Sequence, residues 1–204
     1  DYDMWLGPAP WKPYNKHRVH ATFRGYWDYD GGGLTDMGQH YMDPVQYLLG
    51  KDNTSPVKVE VDAPQQHPDA VGIWHRIVYT YADGCQIVLE GEGFESKGKV
   101  PYIEGPLGKV YQGFECTIPN VMEKISEMPD PEPQRTDFLA CVRKREHFAL
   151  DEVKGHRSST LVNLGACALR LNRTLHFDPA TQLFIGDDAA NRLIDQPMRS
   201  PWKI

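Results

Sequence analysis

The sequence has 204 residues, is 40% hydrophobic and 25% charged, and carries a formal net charge of −6. That size and balance fit one globular domain, or two small ones, with room for a real core. Acidic and basic residues are interspersed, which excludes a broad nucleic-acid-binding surface, and no apolar run approaches the ~20 residues of a membrane span.

Residues 1–33 are rich in proline, glycine, aromatics and bases, without periodicity. Their opening, DYDMWLGPAP, has neither a basic start nor an apolar stretch, so it does not read as a signal peptide. A loop this long inside a compact domain is usually functional or wraps a neighbour.

Residues 34–50 read as a helix, capped at Thr35 or Asp36 and ended by Gly50. Met37, Tyr41, Val45 and Leu48 form the expected apolar face, and Asp36, His40, Asp43 and Tyr47 a polar one. Pro44 is expected to kink or split this helix.

Residues 57–118 read as sheet. VKVEVD alternates like a half-buried strand, and GIWHRIVYTYADGCQIVLEG reads as two strands about Asp83-Gly84. GKVYQG is a further short strand. After the proline-rich connector MPDPEPQ, residues 134–204 supply helices and a closing hairpin. RTDFLACVRKRE is one helix. GHRSSTLVNLGACALRLNR (155–173) is another, with Ser158 or Ser159 as N-cap and Leu161, Leu164, Ala168 and Leu171 as its core stripe. The end reads as a β-hairpin, a short Asp-capped helix and a tail. The fold class is therefore α+β: an open, mostly antiparallel twisted sheet with helices on one face. Neither GxGxxG nor a Walker loop is present.

Cys85, Cys116, Cys141 and Cys167 contain no CxxC pair, so they read as mostly buried thiols rather than a zinc site.

Three places carry candidate chemistry. In GGGLTDMGQHYMD, Asp36 and His40 are four apart, which on one helix stacks a carboxylate below an imidazole. Such a pair suits general acid/base work. The glycines before it allow positive φ or close approach to a ligand. A structural cap, and a metal site shared with Asp43, stay open as alternatives, although no cluster completes a metal shell. Upstream, HRVHATFRGYWDYD combines Arg18, His20, Arg24 and Trp27, the aromatic and planar donors that sugar sites use; a basic loop with inward-packed aromatics is the plainer reading. In GHRSS, His156 and Arg157 fall just before a predicted helix start, where an anion is favoured; a serine cap explains the same residues.

WLGPAPWKPY, RVHATFRGYWDYDGGG, DMGQHYMD, GHRSSTLVNLGACALRLNR, LHFDP and DDAANRLIDQPMRSPW run in order along nearly the whole chain. With these segments the chain resembles the C-terminal domain of the Gfo/Idh/MocA oxidoreductases, the glucose–fructose oxidoreductase and inositol dehydrogenase family. The resemblance implies that residues 1–204 are the substrate-binding and oligomerisation half of a two-domain dehydrogenase. NAD or NADP would be bound mainly by an N-terminal Rossmann domain, which also carries the catalytic lysine and is not in this chain. It implies a sugar or polyol substrate and a homo-oligomer formed through the sheet, with no nucleic-acid or membrane partner. His40 would act as acid/base with Asp36 orienting it. Arg18, His20, Arg24, Trp27, Asp43, His156 and Arg157 would contact substrate, and no metal is implied. Two departures stand out, the extra acid Asp30 before the glycines and Pro44 directly after DMGQHYMD. A binding or assembly module without chemistry of its own, and a metal-dependent sugar lyase or isomerase, are the competing readings.

Overall fold

The computed structural model describes residues 1–92 and 99–203. Residues 93–98, inside the stretch predicted as sheet, lie outside the described residues. The chain divides into two compact units, Asp1–Phe94 with Asp151–Ile204, and Glu95–Leu150.

The first unit is built on a five-stranded antiparallel sheet. Its strands are β1 (Lys58–Asp62), β2 (Arg76–Thr80), β3 (Gln86–Glu90), β6 (Leu175–Asp178) and β7 (Leu183–Phe184), while β4 (Ile103–Gly105) and β5 (Gly108–Val110) belong to the second unit. The order across the main sheet is β3-β2-β1-β6-β7. The β2–β3 hairpin forms as predicted. Gly84 takes φ +85°, and the Asp83 carboxylate accepts the Cys85 N–H at 3.1 Å. Residues 103–110 form a separate two-stranded hairpin rather than extending the main sheet. The place beside β1 is taken instead by β6, with Val59 opposite Leu175.

Period-two alternation turns Val59, Ile77, Tyr79, Ile87, Leu175 and Phe177 to one face, where they are buried. Lys58, Glu60, Arg76, Gln86 and Val88 lie on the other. The buried face is covered by α6 (Glu152–Leu171), which packs on β1, on α2 (Gly32–Thr35) and on α3 (Gly38–Leu48). Leu161, Leu164 and Ala168 are buried in α6, as its predicted stripe requires, and Leu171 packs against the core from its edge.

Two expectations about helices are corrected. First, α6 begins earlier than predicted, because Asp151 caps it by accepting the Lys154 N–H at 2.9 Å. Ser158 is therefore a buried mid-helix residue bonded by the Gln39 amide, not a cap. His156 and Arg157 lie inside the helix rather than ahead of it, so the helix-end anion site disappears. Second, residues 34–50 are not one helix split at Pro44. The break falls at Asp36–Met37, between α2 and α3, and α3 runs through Pro44. Its buried face is Gly38, Met42 and Gln46, with Val45 and Leu49 beside them, while Met37, Tyr41 and Leu48 are exposed. Gln46 is tolerated inside because its carbonyl accepts the Tyr81 hydroxyl at 3.3 Å.

Residues 1–33 are more ordered than an aperiodic loop. Helix α1 (Tyr2–Leu6) is capped by Asp1, and two 3-10 segments cover Lys16–Arg18 and His20–Gly25. Trp5 packs edge-on against Tyr29 and Phe23. Arg199 ties this region down, donating to the Asp3 carboxylate at 2.6 Å and to the carbonyls of Asp3, Gly7 and Ala9. Residues 188–194 form α7 (Asp188–Ile194), capped by Asp187.

The second unit holds the β4–β5 hairpin, α4 (Val121–Ser126) and α5 (Phe138–Lys144). Among its described hydrophobic residues Cys141 alone is buried. All four cysteines are free thiols, and Cys85, Cys116 and Cys167 are half-buried rather than buried as expected.

Candidate functional site

The glycine run is first of all a structural necessity. Gly31 and Gly32 take φ +107° and +72°, the left-handed region that side chains rarely enter. A Cβ on Gly32 would press within 3.0 Å of the Val71 side chain. Asp30 locks the turn: its carboxylate accepts the Gly32 N–H at 3.1 Å, and its carbonyl accepts the Thr35 hydroxyl at 2.7 Å. Burial, reinforced by the nearby Asp36 charge, raises the Asp30 carboxyl pKa above its ordinary value.

This turn delivers Asp36 to the C-terminal end of α2. Its carboxylate pairs with the Arg24 guanidinium, Nε to Oδ2 at 3.0 Å. Arg24 sits at the end of the second 3-10 segment and also lies over the Phe23 ring, 5.2 Å from its centroid. His40 follows in the first turn of α3, exposed. Because the helix breaks at residues 36–37, no hydrogen bond among the described residues joins Asp36 to His40. Pro44 removes the amide that would bond the His40 carbonyl four residues on. Asp43 is exposed on the same helix. Asp36, His40 and Asp43 do not converge into a set of metal ligands; no group of three or more His, Cys, Asp and Glu does so among the described residues.

The remaining predicted contacts divide. His20 is exposed and holds φ +53°. Arg18 is turned inward, stacked 4.5 Å from the Tyr26 centroid and 3.4 Å from the Asp69 carboxylate. The Lys12 ammonium beside Asp69, 2.7 Å away, holds that carboxyl below its ordinary pKa. Trp27 is buried, and its indole N–H donates to the His67 carbonyl at 3.1 Å. Arg157 donates to the buried Ser55 hydroxyl at 3.3 Å. His156 Nε2 donates to Gln182 Oε1 at 2.7 Å. The structure thus gathers Arg24 and Asp36 beside the α3 start that carries His40, and commits Arg18 and Arg157 to internal packing.

A cavity of about 350 Å³ lies elsewhere in the first unit, lined by neither Asp36 nor His40. Asp30, Asn163, Arg170 and Gln182 line it together with Trp27 and His156. Of these, the sequence singles out Trp27 and His156 as substrate contacts and Asp30 only as a departure from the family pattern; Asn163, Arg170 and Gln182 carry no motif. Positions 156, 160, 163, 167 and 170 recur at helical spacing, which was the available signal.

A model of the oxidoreductase family's C-terminal α/β domain matches residues 1–204, the whole chain. The chain belongs to the Gfo/Idh/MocA oxidoreductase family. Its α+β architecture and antiparallel sheet agree with that domain. No curated relative matches the chain significantly.

Proposed function

We propose that this chain is the substrate-binding half of an NAD(P)-dependent oxidoreductase acting on a sugar, polyol or glycoside. The observation that carries the reading is the family match along the entire chain. An oxidoreductase role follows from it directly; the substrate class, the cofactor and the residue roles belong to the proposal.

The described residues offer no dinucleotide cradle. The main sheet is antiparallel, and the glycines open α2 through Asp30 rather than following a parallel strand. In this reading NAD(P) would be held chiefly by the protein's own N-terminal Rossmann domain, where it supplies hydride chemistry.

What this chain contributes is proton handling and orientation. In the proposal, the exposed His40 imidazole takes the proton of a substrate hydroxyl during oxidation and returns it during reduction. Asp36 does not orient His40 directly. Its ion pair with Arg24 fixes the α2–α3 corner and leaves a second carboxylate oxygen to accept from a neighbouring hydroxyl. His20 and Asp43 are exposed polar groups available to the same substrate. Self-association through the uncovered sheet face, with Val88 among Lys58, Glu60 and Arg76, completes the reading.

The test is turnover of the full-length protein with NAD(P) against a panel of sugars and polyols. His40→Ala is expected to lower kcat by about 10²–10⁴-fold with an unchanged melting temperature. Full activity in that variant would remove His40 from the chemistry, and inactivity of the parent on every polyol would remove the substrate class.

A further inference from the structure

We propose that the cavity between Trp27, α6 and the β6–β7 hairpin is a binding site for a carboxylate-bearing monosaccharide, separate from the His40 site. It shares no residue with the proton-handling group described above, so the two proposals stand or fall independently.

Size comes first. About 350 Å³ is at the lower end of small-molecule sites and suits a single sugar ring. Its lining mixes apolar walls with separated hydrogen-bonding groups, the combination a hydroxylated ring needs. Asn163 and the Asp30 carboxylate offer donors and acceptors. Gln182 is pre-set for donation. Its carbonyl already accepts from His156, which leaves its NH2 group to give. Gln182 is held in place at φ +58°, a conformation that non-glycine residues seldom keep without cause.

Charge narrows the ligand. Arg170 is half-buried, stacked 5.7 Å from the Trp27 ring centroid, and pairs with no carboxylate among the described residues. A guanidinium in that setting binds a carboxylate through two parallel hydrogen bonds. Phosphate would also bind a guanidinium. Its second negative charge, however, would sit without a partner in a cavity that already contains Asp30. One free cation beside one resident carboxylate matches a monoanion better than a dianion.

Calorimetry of the purified protein with glucuronate, glucose and glucose 6-phosphate tests the assignment. Glucuronate is expected to bind at least tenfold tighter than glucose, and tighter than glucose 6-phosphate. Arg170→Met should reduce glucuronate to the level of glucose. Asn163→Asp, an exposed rim position with little bearing on folding, should weaken glucuronate at least threefold and glucose little. The Asn163 variant keeps the test alive if Arg170→Met does not fold. His40→Ala should leave glucuronate binding unchanged, which separates failure here from failure of the turnover proposal. Equal affinities for glucuronate and glucose, no binding of either, or indifference to the substitutions would overturn the proposal. A preference for glucose 6-phosphate would overturn the choice of carboxylate.

Discussion

The hydroxyl of Tyr79 lies against the bare Cα of Gly165, so that a Cβ at residue 165 would run into the Tyr79 oxygen. Tyr79 stands on β2 with no exposed surface, and Gly165 is in the middle of α6. The helix reaches the sheet here only because one partner has no side chain. Gly165→Ala would gain about 1 kcal/mol of helix propensity. Overpacking against a ring that has nowhere to move costs about 1–3 kcal/mol. A net loss of about 1 kcal/mol is expected, read as a lower urea midpoint.

The same Tyr79 hydroxyl is buried without a hydrogen-bond partner among the described residues, and burial pushes its pKa up. Tyr79→Phe removes a polar atom whose desolvation nothing offsets. It is expected to stabilise the protein by about 1 kcal/mol, and to soften the penalty of Gly165→Ala in the double variant. Melting of the four proteins in this cycle checks both statements.

Asp151, not a serine, starts α6. Asp151→Ala should cost about 1 kcal/mol, whereas Ser159→Ala, on the exposed side, should cost almost nothing. Equal effects in chemical denaturation would return the cap to the serines.

Arg199 donates four hydrogen bonds into residues 3–9. Arg199→Ala removes them and is expected to cost about 2 kcal/mol. Amide exchange should quicken over residues 3–9 and stay unchanged in β1–β3. Uniform acceleration would mean a global role instead.

Asp187 caps α7 and is paired with Arg173, whose guanidinium holds its carboxyl down to about 2 from an ordinary 3.8. A depressed carboxyl stabilises the fold above its unfolded pKa, and that stability is lost as pH falls through the folded value. Arg173→Met should therefore melt lower than the parent at pH 5–7. The gap should narrow steadily between about pH 4 and 2. A gap undiminished at pH 2 would mean that Arg173 acts through packing.

Local signals were readable in the sequence and distant ones were not. VKVEVD and the Asp83-Gly84 turn gave strands because alternation and turn chemistry act within a few residues. The stripe of α6 was visible for the same reason, but its start was not, since Gly155 and Ser158 masked a cap at Asp151. The buried face of α3 is hidden in the sequence because Gly38 and Gln46 do not look like core residues. Gly38 is buried because it is small, and Gln46 because Tyr81, on another element, meets its carbonyl. The spacing of Asp36 and His40 suggests a stacked pair, yet the helix breaks between them and Arg24, from the 3-10 segment before α2, pairs with the carboxylate. The cavity joins residues from Trp27 to Gln196, and no window of sequence brings those together.

The pairing of β1 with β6, and the cover that α6 gives to β1, also set the order in which the chain can mature. β1, β2 and β3 leave the ribosome about eighty residues before α6, which ends at Leu171, is complete, with the second unit made in between. Until then Ile77, Tyr79 and Ile87 present an apolar sheet face that lacks its main cover, and α3 lacks the helix it packs against. The nascent meander is thus the stretch most exposed to wrong association during synthesis, and completion of α6 is the event that ends the exposure.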